Sequence, residues 1–388
     1  MLPRIVGSAA LQAAAVVAIP LVASQSPWAP VVLMFVCGLG TAIMQASVMG
    51  VVSRFPSEYS AGFMLGQGII GVTSSALQLS IKAAVQSQVA PDGSLPESVN
   101  AAAATGYFVF AAALMIACGA GFYIVDQTPF ADYYLRGGRS KADGGVEDGG
   151  DDGRDHTDSG DEGAENDADF AVSRRDSSGS GEGAQLLIGG TSSAGVSKPR
   201  RFLSLALISA AYKARVYILA LFLVFFVTFL LFPTVLLDRI PYRGGFGSHA
   251  GFLGTPRVGW WSVVLLAIFN AFDTVGRSLA GARAFSSVSQ TMLLVLVVAR
   301  AAFIALLLGC ALGWGPAFGD VTTATLDAAF ALTNGLFASL AFIGAPQAPG
   351  VTPNERQSIG MLLSIALNLG ILAGSNAAFM FSGIPATP

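Results

Sequence analysis

The chain has 388 residues, 53% of them hydrophobic and 12% charged, with a mean hydropathy of +0.63; soluble domains carry about a quarter of their residues as charges, so this composition suits a bilayer. The formal net charge of −3 gathers most Asp and Glu into one stretch and leaves no basic footprint for nucleic acid. Cys37, Cys118 and Cys310 lie singly in apolar runs without CxxC spacing. His156 stands in the acidic stretch and His249 in a Gly-rich loop, so neither a disulfide framework, a metal site, a cofactor site nor an enzyme is expected.

A membrane-spanning helix needs about 20 mainly apolar residues, and scanning on that criterion predicts nine, at 3–24, 29–53, 58–82, 99–125, 215–237, 258–281, 289–313, 324–346 and 356–382. The first also imitates a secretory signal, with Arg4 ahead of an apolar run that ends in Ala23 and Ser24; the close approach of the second span favours a retained helix. Between the fourth and fifth, residues 136–200 are rich in Gly, Ser and Asp (GGVEDGGDDGRDHTDSGDEGAENDAD). Such a stretch buries too little apolar surface to order itself and reads as a disordered loop. The chain therefore divides into a four-span bundle over 1–125, an acidic loop over 126–202 and a five-span bundle over 203–388, an all-α polytopic membrane protein. Residues 202–214 (FLSLALISAAYKA) read as an interfacial lead-in to the fifth span. Lys and Arg collect around the loop (Arg136, Arg139, Lys141, Lys198, Arg200, Arg201, Lys213, Arg215) and at Arg4, Arg54, Arg283 and Arg356, against only Lys82, Arg239, Arg243 and Arg257 on the other side. This asymmetry assigns the loop to the cytoplasm, and the plasma membrane is preferred over an endomembrane.

An ionisable side chain in mid-membrane costs at least about 2.5 to 3.5 kcal/mol, which makes each one a functional hypothesis. Three such charges are counted. Asp273 and Arg277, four residues apart in AIFNAFDTVGRSLAG, share a helix face with Asn270 and form a polar stripe expected to face a central cavity. Arg300 (VLVVARAAFI) has no acidic neighbour within a turn and reads as a structural or gating contact. Gln45 places an amide deep in the second span, where it would either read a base edge or bond to another helix. The string from Gly66 to Gly71 matches GxGxxG, but no strand precedes it and no βαβ unit surrounds it. Gly62 with Gly66, and Gly370 with Gly374, read instead as close-approach surfaces for neighbouring helices.

In order along the chain stand Gln45, Phe55-Pro56 with Tyr59, Gly66-Gln67-Gly68, Phe232-Pro233, FNAFDTVGRSLAG, VLVVARAAF, Thr333-Asn334-Gly335 with Ala338-Ser339-Leu340, and RQSIGMLLSIALNLGILAGS. This series resembles helices four, five and seven to eleven of the equilibrative nucleoside transporters. The resemblance implies a two-bundle fold similar to the major facilitators, facilitated diffusion of purine or pyrimidine nucleosides, and no cofactor. It places Gln45, Asp273 and Arg277 at the substrate cavity, with Asn270 beside them and Asn334 as a weaker candidate. Pro56, Pro233, Gly66, Gly68 and Arg300 take structural or gating roles. A nucleobase or organic-cation carrier is the alternative within transport, because Asp273 could neutralise an ammonium; a non-transporting membrane protein is the alternative outside it. Protein partners beyond the lipid bilayer are not indicated. Only four spans precede the loop where the resemblance calls for six, so a misassigned start or a shortened relative with impaired transport is expected.

Overall fold

The computed structural model describes residues 2–22, 28–86, 88, 96–136, 207–246, 260–285, 287–315 and 317–383. The acidic stretch lies outside the described residues from 137 onward, as do His156 and His249. Among the described residues no strand occurs, and nine stretches are long and apolar enough to cross a membrane.

The N-terminal spans are α1 (Leu2–Val22), α2 (Trp28–Val52), α3 (Ser57–Gln86) and α4 (Glu97–Asp126). Pro56 separates α2 from α3, since its missing N–H and fixed φ close one helix and open the next. A short helix, α5 (Pro129–Arg136), continues the chain where a loop is expected. Its Phe130 and Tyr134 pack on Phe55, Phe130 also meets Tyr59, and Arg54 Nη1 donates to the Leu135 carbonyl at 3.0 Å. Apolar Phe130 and amphipathic Tyr134 are four residues apart, so one turn of helix brings both onto the Phe55–Pro56 corner.

The chain is helical again over residues 207–213 and enters α6 (Arg215–Leu231), which stops at the Phe232-Pro233 bond before α7 (Thr234–Asp238). Then follow α8 (Trp260–Ala280), α9 (Gln290–Ala299), α10 (Ala302–Leu312), α11 (Asp320–Gly344) and α12 (Pro353–Ala377). The span expected as one helix over 289–313 is two helices broken at Arg300–Ala301. Backbone bonds there shorten to three-residue turns, with Phe303 N–H donating to the Arg300 carbonyl at 3.0 Å. Neither Pro nor Gly marks the break; it coincides with the point where the Arg300 side chain is anchored to other helices. The last two spans begin three or four residues earlier than expected, at Asp320 and Pro353. The second of these starts has a Thr352/Glu355 capping box with Pro353 in the first turn.

Among the described residues a small apolar core of Ala13, Val16 and Ala112 joins α1 to α4, and two larger ones fill the rest of the bundle. One, at the end from which the chain leaves at 136 and returns at 207 (the loop side), holds Leu221, Val224, Leu293, Phe342, Ile359 and Leu363. The other, toward the opposite or far side, holds Leu231, Leu236, Trp261, Leu265, Leu307 and Phe330. On α6, α8 and α11 alike, the polar residues Thr228, Asp273 and Asn334 fall between the two sets, which defines a polar seam at mid-bundle. At the seam α8 meets α11 backbone to backbone. A Cβ on Gly335 would overlap the Asp273 carbonyl, and one on Gly276 would overlap the Leu332 carbonyl. Gly370 and Gly374 likewise face the carbonyls of Phe222 and Phe226 on α6, as expected for a close-approach surface. Gly62 and Gly66 face open space, and on α3 it is Gly68 and Gly71 that approach α8, at Thr274, Arg277 and Asn270.

Candidate functional site

Asn270, Asp273 and Arg277 occupy positions i, i+3 and i+7 of α8 and so share one face. Arg277 Nε donates to Asp273 Oδ2 at 2.6 Å, and both residues are less than a tenth exposed. Each end of the pair is extended by another helix. Asn334 Nδ2 on α11 donates to Asp273 Oδ1 at 2.7 Å, and Arg277 Nη1 donates to Gln67 Oε1 on α3 at 3.1 Å. Thr228 Oγ1 on α6 lies 2.7 Å from Asn334 Oδ1 and accepts from Arg300 Nη2 at 3.2 Å. One continuous chain of hydrogen bonds thus runs from Arg300 through Thr228, Asn334, Asp273 and Arg277 to Gln67.

Arg300 also donates to the carbonyls of Val224 and Phe330 and to Thr333 Oγ1, at 3.0, 3.1 and 3.1 Å, with its guanidinium 4.7 Å from the Phe330 ring centre. The sequence leaves Arg300 unconnected to the Asp273 stripe. In the fold the link is made by Thr228 and Asn334, which lie far away in the chain. Two cations and one carboxylate leave the seam with a formal surplus of one positive charge.

The other candidates are placed elsewhere. Asn270 Nδ2 donates to Ser75 Oγ on α3 at 2.7 Å. Gln45 on α2 accepts from Asn368 Nδ2 on α12 at 3.0 Å, a separate polar pair. Gln45→Leu leaves Asn368 bonded to the Ser364 carbonyl, so its stability cost should be about 1 kcal/mol. The expected result is a folded variant that melts close to the parent, read from melting curves of the two proteins.

A cavity of about 410 Å³ opens on the loop side, lined by Glu58, Tyr217, Gly281, Arg283, Phe285 and Gln347 among others. A smaller one of about 260 Å³ beside it includes Pro56 and Arg356. The larger begins at Ala280, three residues beyond Arg277, so the stripe lies behind this cavity wall, packed between α3, α8 and α11. Gln67, Thr228 and Asn368 escape sequence reasoning, Gln67 because it sits inside the GxGxxG decoy and Thr228 because one hydroxyl in FFVTFLLF looks like helix filler. Asp327, fully buried on α11, is a fourth intramembrane ionisable residue beyond the three counted.

Nine spans with a charged, hydrogen-bonded seam between two apolar cores define a polytopic helical membrane protein with polar groups reserved at mid-depth. The family model described as "Nucleoside transporter" matches residues 31–383, and the chain belongs to that family. It is similar to "Nucleoside transporter 2" of Leishmania donovani, 33% identical over 160 residues, covering 41% of this chain and 28% of the relative. It is also similar to "Equilibrative nucleoside transporter 1" of Rattus norvegicus, 29% identical over 352 residues, covering 88% of this chain and 66% of the relative. "Equilibrative nucleoside transporter 2" of Homo sapiens is 23% identical over 381 residues, covering 93% of this chain and 73% of the relative. The chain thus spans less than two thirds of the length of the first two.

Proposed function

We propose that the chain carries nucleosides across a membrane by facilitated diffusion, with the bundles 1–125 and 203–388 rocking about the seam. Asp273, Arg277 and Asn334 contact substrate, and Gln45 and Asn270 complete the site from neighbouring helix pairs. The observation that carries this reading is the seam itself, in which a carboxylate, two guanidiniums, two amides and a hydroxyl converge from five segments. Such groups can exchange a bond to one another for a bond to ribose hydroxyls or a base edge. The names of the relatives supply the substrate class. The loop-side cavity, at about 410 Å³, is within the range of small-molecule sites and serves as the approach to the seam from the cytoplasm, with the plasma membrane as the working location.

An organic-cation carrier is disfavoured, because Asp273 is already neutralised by Arg277 at 2.6 Å and the seam carries surplus positive charge. The test is uptake of labelled adenosine and uridine into proteoliposomes, competed by hypoxanthine and by a quaternary amine. Saturable uptake inhibited by nucleosides and indifferent to the amine is expected. Uptake blocked by the amine or by hypoxanthine alone would reassign the substrate, and no saturable uptake of either nucleoside would remove the proposal.

A further inference from the structure

Asp327 lies seven residues before Asn334 on the same face of α11, about 10 Å further toward the far side. Its side chain is fully buried, and neither carboxyl oxygen takes a hydrogen bond from the described residues. Its neighbours at i−3, i+3 and i+4, Ala324, Phe330 and Ala331, all belong to the apolar core of the far half. The same core encloses two donors that meet no acceptor among the described residues, the Tyr242 hydroxyl and the Trp261 indole N–H. An acceptor and two donors all unmatched in one apolar core are groups for which an arrangement that admits water would supply partners.

The charged and titratable groups on the elements packed around this part of α11 are Asp273 and Arg277 on α8, Lys82 on α3, Cys310 on α10, Arg300 at the α9–α10 break, and Tyr242. Each of the cations is engaged elsewhere: Arg277 with Asp273, Arg300 with four acceptors, and Lys82 over the Trp260 ring at 5.7 Å. Arg243, on the segment beside Tyr242, bonds to the Cys310 and Phe318 carbonyls. None of them donates to Asp327. A carboxylate in this apolar core, with no donor among the described residues, is far costlier as the anion than as the neutral acid.

We propose that Asp327 is a proton-binding site that ties closure of the far half to far-side acidity, holding a proton when the core packs and ionising when that half opens to water. The inference rests on the two-sided access of the transporter reading but not on its substrate. The proton is taken from and returned to the far-side solution, so the closed state binds one proton more than the open one. Acid then favours closure, by up to tenfold in the closed-to-open ratio per pH unit, in the window above the open-state titration point and below the closed-state one.

The test uses full-length protein in vesicles with Cys37, Cys118 and Cys310 replaced by Ala and a reporter thiol at Ala324→Cys, one turn from Asp327 toward the far side. Labelling by an impermeant thiol reagent from the far side is compared between Asp327 and Asp327→Asn at each pH, which cancels the titration of the thiol itself. The ratio should approach one toward about pH 4, the ordinary range of an aspartic acid, and rise severalfold by about pH 8, because Asn cannot ionise. In parallel, infrared spectra of wild type at acid pH should contain a carboxylic acid C=O band that Asp327→Asn lacks. If the Asn variant does not fold, Asp327→Leu replaces it with the same expectation. A pH-independent ratio, or an infrared band that persists in the variant, would overturn the proposal. Neither readout uses a nucleoside, so loss of the substrate assignment would leave both intact.

Discussion

Asp273→Asn is expected to abolish most nucleoside uptake and to lower the melting temperature of the purified protein. The substitution keeps the size of the side chain but leaves Arg277, less than a tenth exposed, without its anion. Breaking a buried pair from one side costs about 3–5 kcal/mol, because the remaining charge is neither solvated nor compensated. The asparagine amide also cannot serve both neighbours as the carboxylate does. Oδ2 accepts from Arg277 and Oδ1 from Asn334 Nδ2, so an amide that keeps its oxygen toward Arg277 turns an NH2 against the NH2 of Asn334. The double variant Asp273→Asn with Arg277→Gln removes both charges and should recover a good part of the lost stability. It should not recover uptake if the pair touches substrate. A double variant that melts like the parent and transports like it would show that the pair only holds α8 in place, and the seam would cease to be the site. Arg277→Lys is a further check, since an ammonium lacks the planar fork that reaches Asp273 and Gln67 together.

Much of this architecture is legible in the sequence because its dominant physical term acts over one continuous stretch. A span is a length of apolar chain, and nine of them are recognisable without any knowledge of packing. The Asp273–Arg277 pair is legible for the same reason, being one turn of one helix. Its partners are not. Thr228 and Asn334 are separated by 106 residues, Arg300 and Thr228 by 72, and Arg277 and Gln67 by 210. No local periodicity joins them. Even so, FDTVGRS and TNG carry glycines that prove to be points of backbone contact between α8 and α11, a constraint that composition alone does not show.

The misses have equally local causes. Asp327 lies three residues inside a span expected to start at 324, where a charge passes for an interfacial one. The helix in fact begins at Asp320, whose carboxylate accepts from the backbone N–H of Arg243 at 2.8 Å and of Gly245 at 2.7 Å. That bond ties an acidic first turn to its helix and shifts every residue after it deeper. PFADYYLR escapes because its aromatic residues are averaged with the acidic stretch that follows, while its ordering comes from Phe55 and Tyr59, some 75 positions earlier.

Arg300→Lys is expected to destabilise the protein more than Arg300→Met, although Lys is the closer residue in charge. The guanidinium sits 2% exposed at the α9–α10 break and donates to Val224 O, Phe330 O, Thr228 Oγ1 and Thr333 Oγ1, which lie on α6 and α11. One planar fork reaches acceptors on two helices, whereas an ammonium has three donors radiating from one atom and cannot span them. Lys would have to keep a strongly hydrated charge in a dry site or give up its proton, and either choice costs several kcal/mol. Met removes charge and donors together. The acceptors it abandons retain other partners: Thr228 Oγ1 is 2.7 Å from both Val224 O and Asn334 Oδ1, and Thr333 Oγ1 is bonded within its own helix. What Met loses is chiefly the contact with Phe330 and part of the volume, about 1–3 kcal/mol. The measurement is the melting temperature of the three proteins in one detergent at one pH, with surface expression as a second readout. The order wild type, Met, Lys is expected, and a Lys variant as stable as wild type would mean that a single cation near Thr228, without the fork, suffices to hold the break in the seventh span.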